Sequence, residues 1–255
     1  MYEPRTYRHW VKNEGLVPFN VVVKETDLYI RASRNLKSKA LKLVLKYRNM
    51  LEKYIEQHPS FLTSLEPLPD DATAPFMVKL MLEAARKTGV GPMASVAGAI
   101  AEFVGTELLA FSPEIIVENG GDIFLKSSGG RMIGIYAGES PLNGKISLEI
   151  DGEDTPLGVC TSSGTVGHSL SYGKADAVVV LSKSATLADA AATAIGNIII
   201  QPGDIPGGIE FAKGIEGLKG LLVIKEDKMG LWGEVKICRT NRNHLEKSDC
   251  DKAVI

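Results

Sequence analysis

The chain has 255 residues, of which 44% are hydrophobic and 24% are charged. This size and composition are typical of a soluble globular protein that forms one large domain or two small ones. A net charge of −2 gives no argument for binding to nucleic acid or to a membrane surface, so we expect neither as a partner.

The cysteine content and the hydropathy of the chain predict a cytoplasmic protein. Three sparse cysteines, with no pair at CxxC spacing, argue for a reduced compartment and against a cysteine zinc site. The first fifteen residues, MYEPRTYRHWVKNEG, are charged and have no apolar centre, so we do not expect a secretory signal. No run reaches the roughly 18 apolar residues that a membrane-spanning helix needs.

The first half of the chain predicts a hairpin followed by helices. Residues 18–33 alternate apolar and polar side chains around KETD, which indicates a β-hairpin. Residues 35–59 repeat apolar side chains every three or four positions and predict a long amphipathic helix with a basic, solvated outer face. A Pro-rich connection follows at 60–75, and two further helices are predicted at 74–89 and 90–111.

The second half of the chain predicts short strands and then two helices. An alanine-rich helix is expected at 185–199, another helix at 204–215 and a closing hairpin at 220–237. Because the helices come in a block before the strands, without regular βα alternation, the order favours an α+β layered domain with antiparallel or mixed sheets and flanking helices. The predicted strands are 114–118, 122–126, 131–137, 145–151, 157–162 and 174–184.

The chain lacks the GxxxxGK[ST], GxGxxG, HExxH and GxSxG motifs, which removes several large enzyme classes as predictions from sequence. Four other stretches carry candidate chemistry. The first is VENGGDIFL. Asn119, Gly120 and Gly121 lie between two apolar runs and predict a tight hairpin turn. The turn does not require Asp122, so bare backbone beside this carboxylate could also admit a nucleotide.

The second stretch is CTSSGTVGHS, directly after a predicted strand. Its hydroxyls and glycines can form a nest of backbone N–H groups for phosphate, or simply a polar loop. His168, just beyond, is a general-base candidate if phosphate binds there. The candidate nucleotide-binding residues of this stretch are Thr161, Ser162, Ser163, Gly164 and Thr165.

The third stretch is ATLADAAATAIGNII, in which Asp189 and Thr193 share one face of the predicted helix. A carboxylate and a hydroxyl are hard oxygen ligands that suit Mg²⁺. The same residues also fit a capping box, with Thr186 as N-cap and Asp189 reaching back to it. The sequence leaves both readings open.

The fourth stretch, GVGPMAS at 89–95, fits a loop or an anion site at a helix start.

In chain order, the GGD turn, the TSSG loop followed by a histidine, and ADAAAT at 188–193 resemble the ApbE-like flavin-transferase superfamily. The chain is similar in particular to a largely archaeal and bacterial branch of it, for which no activity is implied. The resemblance covers roughly residues 89–200 and implies an ApbE-like fold. It also implies Mg²⁺-dependent chemistry on FAD, either FMN transfer to a threonine of an acceptor protein or hydrolysis to FMN and AMP.

By this resemblance, Asp189, Thr193 and the carbonyl of Ala94 would be metal ligands, and His168 and Asp189 would be catalytic. The GGD turn and the TSSGT loop would line the nucleotide. We expect one domain over 1–255, with 1–72 less similar to the family and 73–237 as the core. A flavin nucleotide and an acceptor protein are the expected partners, and a homodimer is a candidate assembly.

The chain also departs from the family pattern. Ser95, Val96 and Ile100 stand where a lysine, a glycine and an acid are usual, and Ser171 stands where an aspartate follows the histidine. These departures leave two alternatives to catalysis: a flavin- or nucleotide-binding protein without turnover, and a relative that keeps only the fold.

Overall fold

A computed structural model describes residues 15–164 and 172–239 and the backbone of residues 252–254. Helices pack on one face of a large sheet, and a smaller sheet packs on its other face, so that two hydrophobic cores lie between three layers. The helices are α1 (Lys37–Gln57), α2 (Ser60–Thr63), α3 (Phe76–Thr88), α4 (Val96–Leu108), α5 (Ala185–Ile198) and α6 (Ile205–Lys213).

The large sheet has eight strands in the order β1-β2-β3-β4-β7-β8-β9-β10, and every neighbouring pair is antiparallel. Its strands are β1 (Val17–Val23), β2 (Thr26–Ala32), β3 (Ile115–Asn119), β4 (Asp122–Lys126), β7 (Leu157–Ser162), β8 (Ala177–Ser182), β9 (Leu218–Lys225) and β10 (Lys228–Gly233). β8 is buried at every position, as expected for a strand covered on both faces.

The small sheet is mixed, in the order β11-β6-β5-β12. Three of its strands pair antiparallel, whereas β12 pairs parallel to β5. The strands are β5 (Arg131–Gly134), β6 (Ile146–Ile150), β11 (Lys236–Arg239) and β12 (Lys252–Val254). The predicted α+β layered class, with antiparallel and mixed sheets, is therefore confirmed.

Several predicted boundaries differ from those of the structure. The helix predicted at 90–111 begins with a separate 3₁₀ turn, Pro92–Ser95, before α4. The Pro-rich connection contains the short helix α2. The closing hairpin continues into β11, which leaves the large sheet and joins the small one. In the described part of the chain no helix is both long enough and apolar enough to cross a bilayer.

α4 and α5 pack so closely that their backbones touch at Gly98. A Cβ atom on Gly98 would lie 2.3 Å from the carbonyl oxygen of Ala185 and 2.8 Å from Cβ of Asp189. Neither neighbour can move easily, since one is backbone and the other lies within α5. A glycine at this position therefore sets the distance between the two helices.

We expect Gly98→Ala to destabilise the protein, because the added methyl group meets backbone. The cost of such overpacking is about 1–3 kcal/mol, which lowers the Tm of a protein of this size by several degrees. Gly207→Ala in α6 is the matched control, because a Cβ atom there meets nothing within 4 Å. Thermal unfolding should show a lower Tm for the first variant and an unchanged or higher Tm for the second. Equal Tm values would contradict the close packing.

Candidate functional site

Asp189 lies in the second turn of α5, and its carboxylate meets the first turn of α4. Its side chain is 8% exposed. Oδ2 accepts a hydrogen bond from the backbone N–H of Gly98 at 2.8 Å, and the amide of Ala97 also stabilises the carboxylate. These amides belong to the start of a helix, where backbone N–H groups have no partner within the helix. Asp189 therefore caps α4 from another helix.

A second carboxylate makes the reciprocal contact. Oε2 of Glu102, in α4, accepts hydrogen bonds from the backbone N–H of Thr186 at 2.8 Å and from its hydroxyl at 2.8 Å. It also accepts one from the hydroxyl of Ser184 at 3.0 Å. These groups form the start of α5, so each helix supplies an acid to the amino end of the other.

The structure contradicts the local capping box, one of the two alternatives that the sequence leaves open for Thr186 and Asp189. The N-cap is Ser184, whose hydroxyl oxygen accepts from the backbone N–H of Leu187 at 3.3 Å. The helix begins at Ala185, as predicted, and Thr186 lies inside its first turn rather than at its N-cap. Asp189 is then too far along α5 to cap it, and its carboxylate contacts α4 instead.

The GGD turn brings a second buried carboxylate to Asp189. Gly120 has a φ of +76°, as the predicted tight hairpin between β3 and β4 requires. Asp122, next along, is 7% exposed and accepts a hydrogen bond from the backbone N–H of Thr161 at 3.3 Å. Asn119 donates to the carbonyl oxygen of Ala97 at 3.1 Å, which ties the turn to the start of α4.

Burial raises the pKa of Asp189 well above its usual value of 3.8, and the negative charge of Asp122 raises it further. The amides of Gly98 and Ala97 oppose this shift because they stabilise the ionised form. Two buried acids are thus close enough for the charge of Asp122 to act on Asp189. Such an arrangement favours either a shared proton or a bound cation.

A buried thiol lies near both acids. Cys160, in β7, donates a hydrogen bond to the carbonyl oxygen of Ala185 at 3.3 Å. Burial raises the pKa of this thiol, and Asp122 and Asp189 raise it further, so the sulfur stays protonated. The place of Cys160 could not be predicted from the sequence, because no other cysteine lies at metal-binding spacing from it.

The TSSG stretch lies beside the GGD turn: Thr161 and Ser162 end β7, and Ser163 and Gly164 follow it. The hydroxyl oxygen of Thr161 is buried and makes no hydrogen bond to any residue that the structure describes. A Cβ atom on Gly121 would lie 3.3 Å from Cβ of Thr161, so the turn and the loop lie side by side. Gly164 donates its backbone N–H to the carbonyl oxygen of Ala175, and Ser163 bonds the same oxygen. Thr165 and His168 lie outside the described residues.

The remaining predicted metal ligands lie on α5 and on the 3₁₀ turn that contacts it. Thr193 is half-buried one helical turn after Asp189, and Ala94 lies in the turn before α4. The face of α5 continues to Gly196, which packs against the hydroxyl of Ser162. Among the described residues there is no cluster of three or more acidic, histidine or cysteine side chains placed to hold a metal.

Comparison with known proteins shows the family of the chain. A family model described as "AbpE bacteria" matches residues 8–206. The chain belongs to this ApbE-like family. It is 45% identical over 222 residues to a UPF0280 protein of Methanopyrus kandleri, covering 84% of this chain and 89% of that protein. It is 43% identical over 221 residues to a UPF0280 protein of Methanocaldococcus jannaschii, covering 84% and 90%.

Solved structures support the fold of this ApbE-like protein. The apo flavinyl transferase ApbE of Pseudomonas stutzeri matches with a TM-score of 0.51 and 15% identity, over 90% of this chain and 96% of that one. The ApbE protein of Thermotoga maritima matches with a TM-score of 0.51 and 13% identity, over 92% and 100%. At such low sequence identity these matches establish the layered fold alone, and the chemistry has to be inferred from the residues of the site.

The motifs of this ApbE-like protein did not point to two residues of the site. Gly98 and Glu102 lie within a smooth run of small and aliphatic side chains, and their partners lie more than 80 residues away. The spacing of 98 and 102, one helical turn apart on α4, was the signal available. This spacing indicates a contact surface only when α5 is known to pack against that face of α4.

We expect Asp189→Asn to stabilise the metal-free protein increasingly as pH rises. The raised pKa means that the wild-type protein loses stability from about pH 4 up to the folded-state pKa, whereas asparagine does not titrate. Its amide oxygen can still accept from Gly98. The Tm of the variant should rise relative to that of the wild type as pH increases above about 4, because the wild type loses ~1.4 kcal/mol per pH unit until the folded-state pKa is reached.

Asp227→Asn is the control for this comparison, because Asp227 is exposed in the turn between β9 and β10. Its Tm should follow the wild-type curve at every pH. A Tm difference between Asp189→Asn and the wild type that did not change with pH would contradict the raised pKa of the buried carboxylate.

Proposed function

We propose that this protein catalyses Mg²⁺-dependent phosphoryl chemistry on FAD. In one form, the FMN phosphoryl group passes to the hydroxyl of a protein threonine and AMP leaves. In the other, water is the acceptor and the products are FMN and AMP. The observation that carries the proposal is the meeting of Asp122 and Asp189, two buried carboxylates, where the GGD turn, the TSSG loop and α5 converge.

The donor set suits a hard divalent cation. The carboxylate of Asp189, the hydroxyl of Thr193 and the carbonyl of Ala94 would hold it, and oxygen ligands are those that Mg²⁺ prefers. Asp122 adds a second negative charge beside the first. When bound, the ion would offset the charge of the diphosphate. Burying a second carboxylate beside the first costs stability, and a cation is the simplest group to offset that cost.

The neighbouring turn and loop suit a nucleotide. The orphaned hydroxyl of Thr161 is a buried polar atom without a partner in the described chain, and such atoms normally have one. Gly121 presents bare backbone next to it. A phosphate oxygen or ribose hydroxyl would satisfy this group. Asp122, held by the Thr161 amide, would orient the loop.

The transfer step needs an acceptor hydroxyl in line with the bond that breaks. His168 is our candidate base, taking the proton of the attacking threonine or water as the new P–O bond forms and AMP departs. The solved structures of similar fold include a protein named a flavinyl transferase, ApbE of Pseudomonas stutzeri. That name and the motifs shared with the superfamily support FAD as the substrate.

A second candidate is binding of the flavin nucleotide without turnover. Ser95 stands where the family usually has a lysine, and its side chain is fully buried and donates to the carbonyl oxygen of Pro92 at 2.8 Å. It cannot serve as a positive group for phosphate. Less of the charge that develops in the transition state would then be offset, which favours binding over turnover.

We expect purified protein with FAD and Mg²⁺ to release AMP, with Asp189→Asn reducing the rate at least 100-fold. The reason is loss of the metal's anionic ligand, while the near-identical shape keeps the fold. Chromatographic separation of AMP and FMN measures turnover, and EDTA should abolish it. Protein-bound flavin, measured with a threonine-containing acceptor peptide, separates transfer from hydrolysis.

Asp227→Asn should match the wild-type rate. Saturable FAD binding with no AMP, with and without peptide, would support the binder and overturn the enzyme. Neither binding nor turnover would leave only the fold in common with the family.

A further inference from the structure

Glu102 is the acid that the proposed chemistry does not use. It lies in α4 and is partly buried, and a single oxygen of its carboxylate accepts three hydrogen bonds from Ser184 and Thr186. All three donors belong to the N-cap and first turn of α5. A carboxylate at this point satisfies an orphan backbone N–H and interacts favourably with the positive end of the helix.

Two contacts between α4 and α5 form a ladder. Gly98 bonds Asp189 on one rung, and Glu102 bonds Thr186 on the next. The rungs are four residues apart on α4 and three apart on α5, each about one turn, so the helices run in opposite directions along this contact. Because α5 is a rigid rod, the Glu102 rung determines how far Asp189 lies along and around α4.

We propose that Glu102 is a positioning residue that holds Asp189 and Thr193 in the register needed for metal binding. This inference rests on the proposed function for its metal, but its geometric part does not. Without the Glu102 rung, the first turn of α5 can slide or rotate relative to α4. The Gly98 amide then loses its fixed alignment with the carboxylate, and the ligands on α5 lose theirs with Ala94.

The chemistry of the rung explains why an acid stands here. The Thr186 amide and hydroxyl and the Ser184 hydroxyl are all donors, so the position needs an acceptor with several lone pairs. Glu102→Gln keeps one such oxygen but loses the charge. Glu102→Ala removes the acceptor altogether and leaves the donors to water. The two variants should therefore be affected in that order.

The test uses the full chain with two readouts. The first is the amide proton of Gly98, whose NMR chemical shift reports its bond to Asp189. The second is the Kd for Mg²⁺ measured by calorimetry on metal-free protein. We expect the Gly98 signal to move in both variants and the Kd to rise about 10-fold for Gln and up to about 100-fold for Ala.

Glu107→Gln is the matched control, because Glu107 lies on the same helix but bonds Lys46 and Tyr47 of α1. It should leave both readouts unchanged. At saturating Mg²⁺ the kcat of Glu102→Gln should approach the wild-type value, while the KM for Mg²⁺ stays raised. A residue that only stabilises the fold would lower Tm without this division between kcat and KM.

The outcomes separate the two proposals. A Gly98 signal that is unchanged in Glu102→Ala overturns the positioning role, whatever the metal does. A moved Gly98 signal in a protein that binds no Mg²⁺ even as wild type supports the positioning of Asp189 and overturns the metal-dependent function. A moved signal with an unchanged Kd limits Glu102 to the fold and overturns its part in metal binding.

Discussion

The exchange of carboxylates between α4 and α5 is the constraint on which the site depends. Each helix begins with backbone N–H groups that need acceptors, and each receives an acid from the other: Asp189 for α4 and Glu102 for α5. The exchange requires the helices to come within backbone contact, which only the missing side chain of Gly98 permits. The two capping carboxylates and the close helix packing at Gly98 therefore depend on one another. A change in any of them would shift the carboxylate of Asp189.

The large sheet supplies the other half of the site. Its antiparallel strands bring two strand ends to the same place: the start of β4, which carries Asp122 directly after the turn from β3, and the end of β7, which carries Thr161. Since β4 and β7 are neighbours, the Thr161 amide can bond Asp122 directly. Motifs separated by some 40 residues in the chain therefore become adjacent because of strand order alone, and α5 lies across them on the helical face.

The sequence was sufficient for the parts that depend on local periodicity. The spacing of apolar residues located α1 and the central strands, and Asn-Gly-Gly located the hairpin, because 3.6-residue and two-residue periods and positive φ leave local marks. The partners of Thr186 and Asp189 could not be found from local spacing. A threonine three residues before an acid fits a local capping box, yet both side chains bond α4, some 85 residues earlier. Long-range partners leave no trace in the spacing of either segment. Because long-range contacts are not visible in local spacing, neither the role of Glu102 nor strand β12 could be predicted.

The two roles of Asp189 need not compete. As a cap, it stabilises the start of α4 through Gly98; as a buried acid beside Asp122, it destabilises its surroundings when it is ionised. A neutral side chain of the same shape would keep the first effect and remove the second, so stability alone would favour asparagine. The presence of an acid at a point where it costs stability is explained by a ligand or catalytic role and not by a cap. The Gly98 amide then does more than close a helix: it fixes one carboxylate oxygen and so defines the direction in which the other can bind.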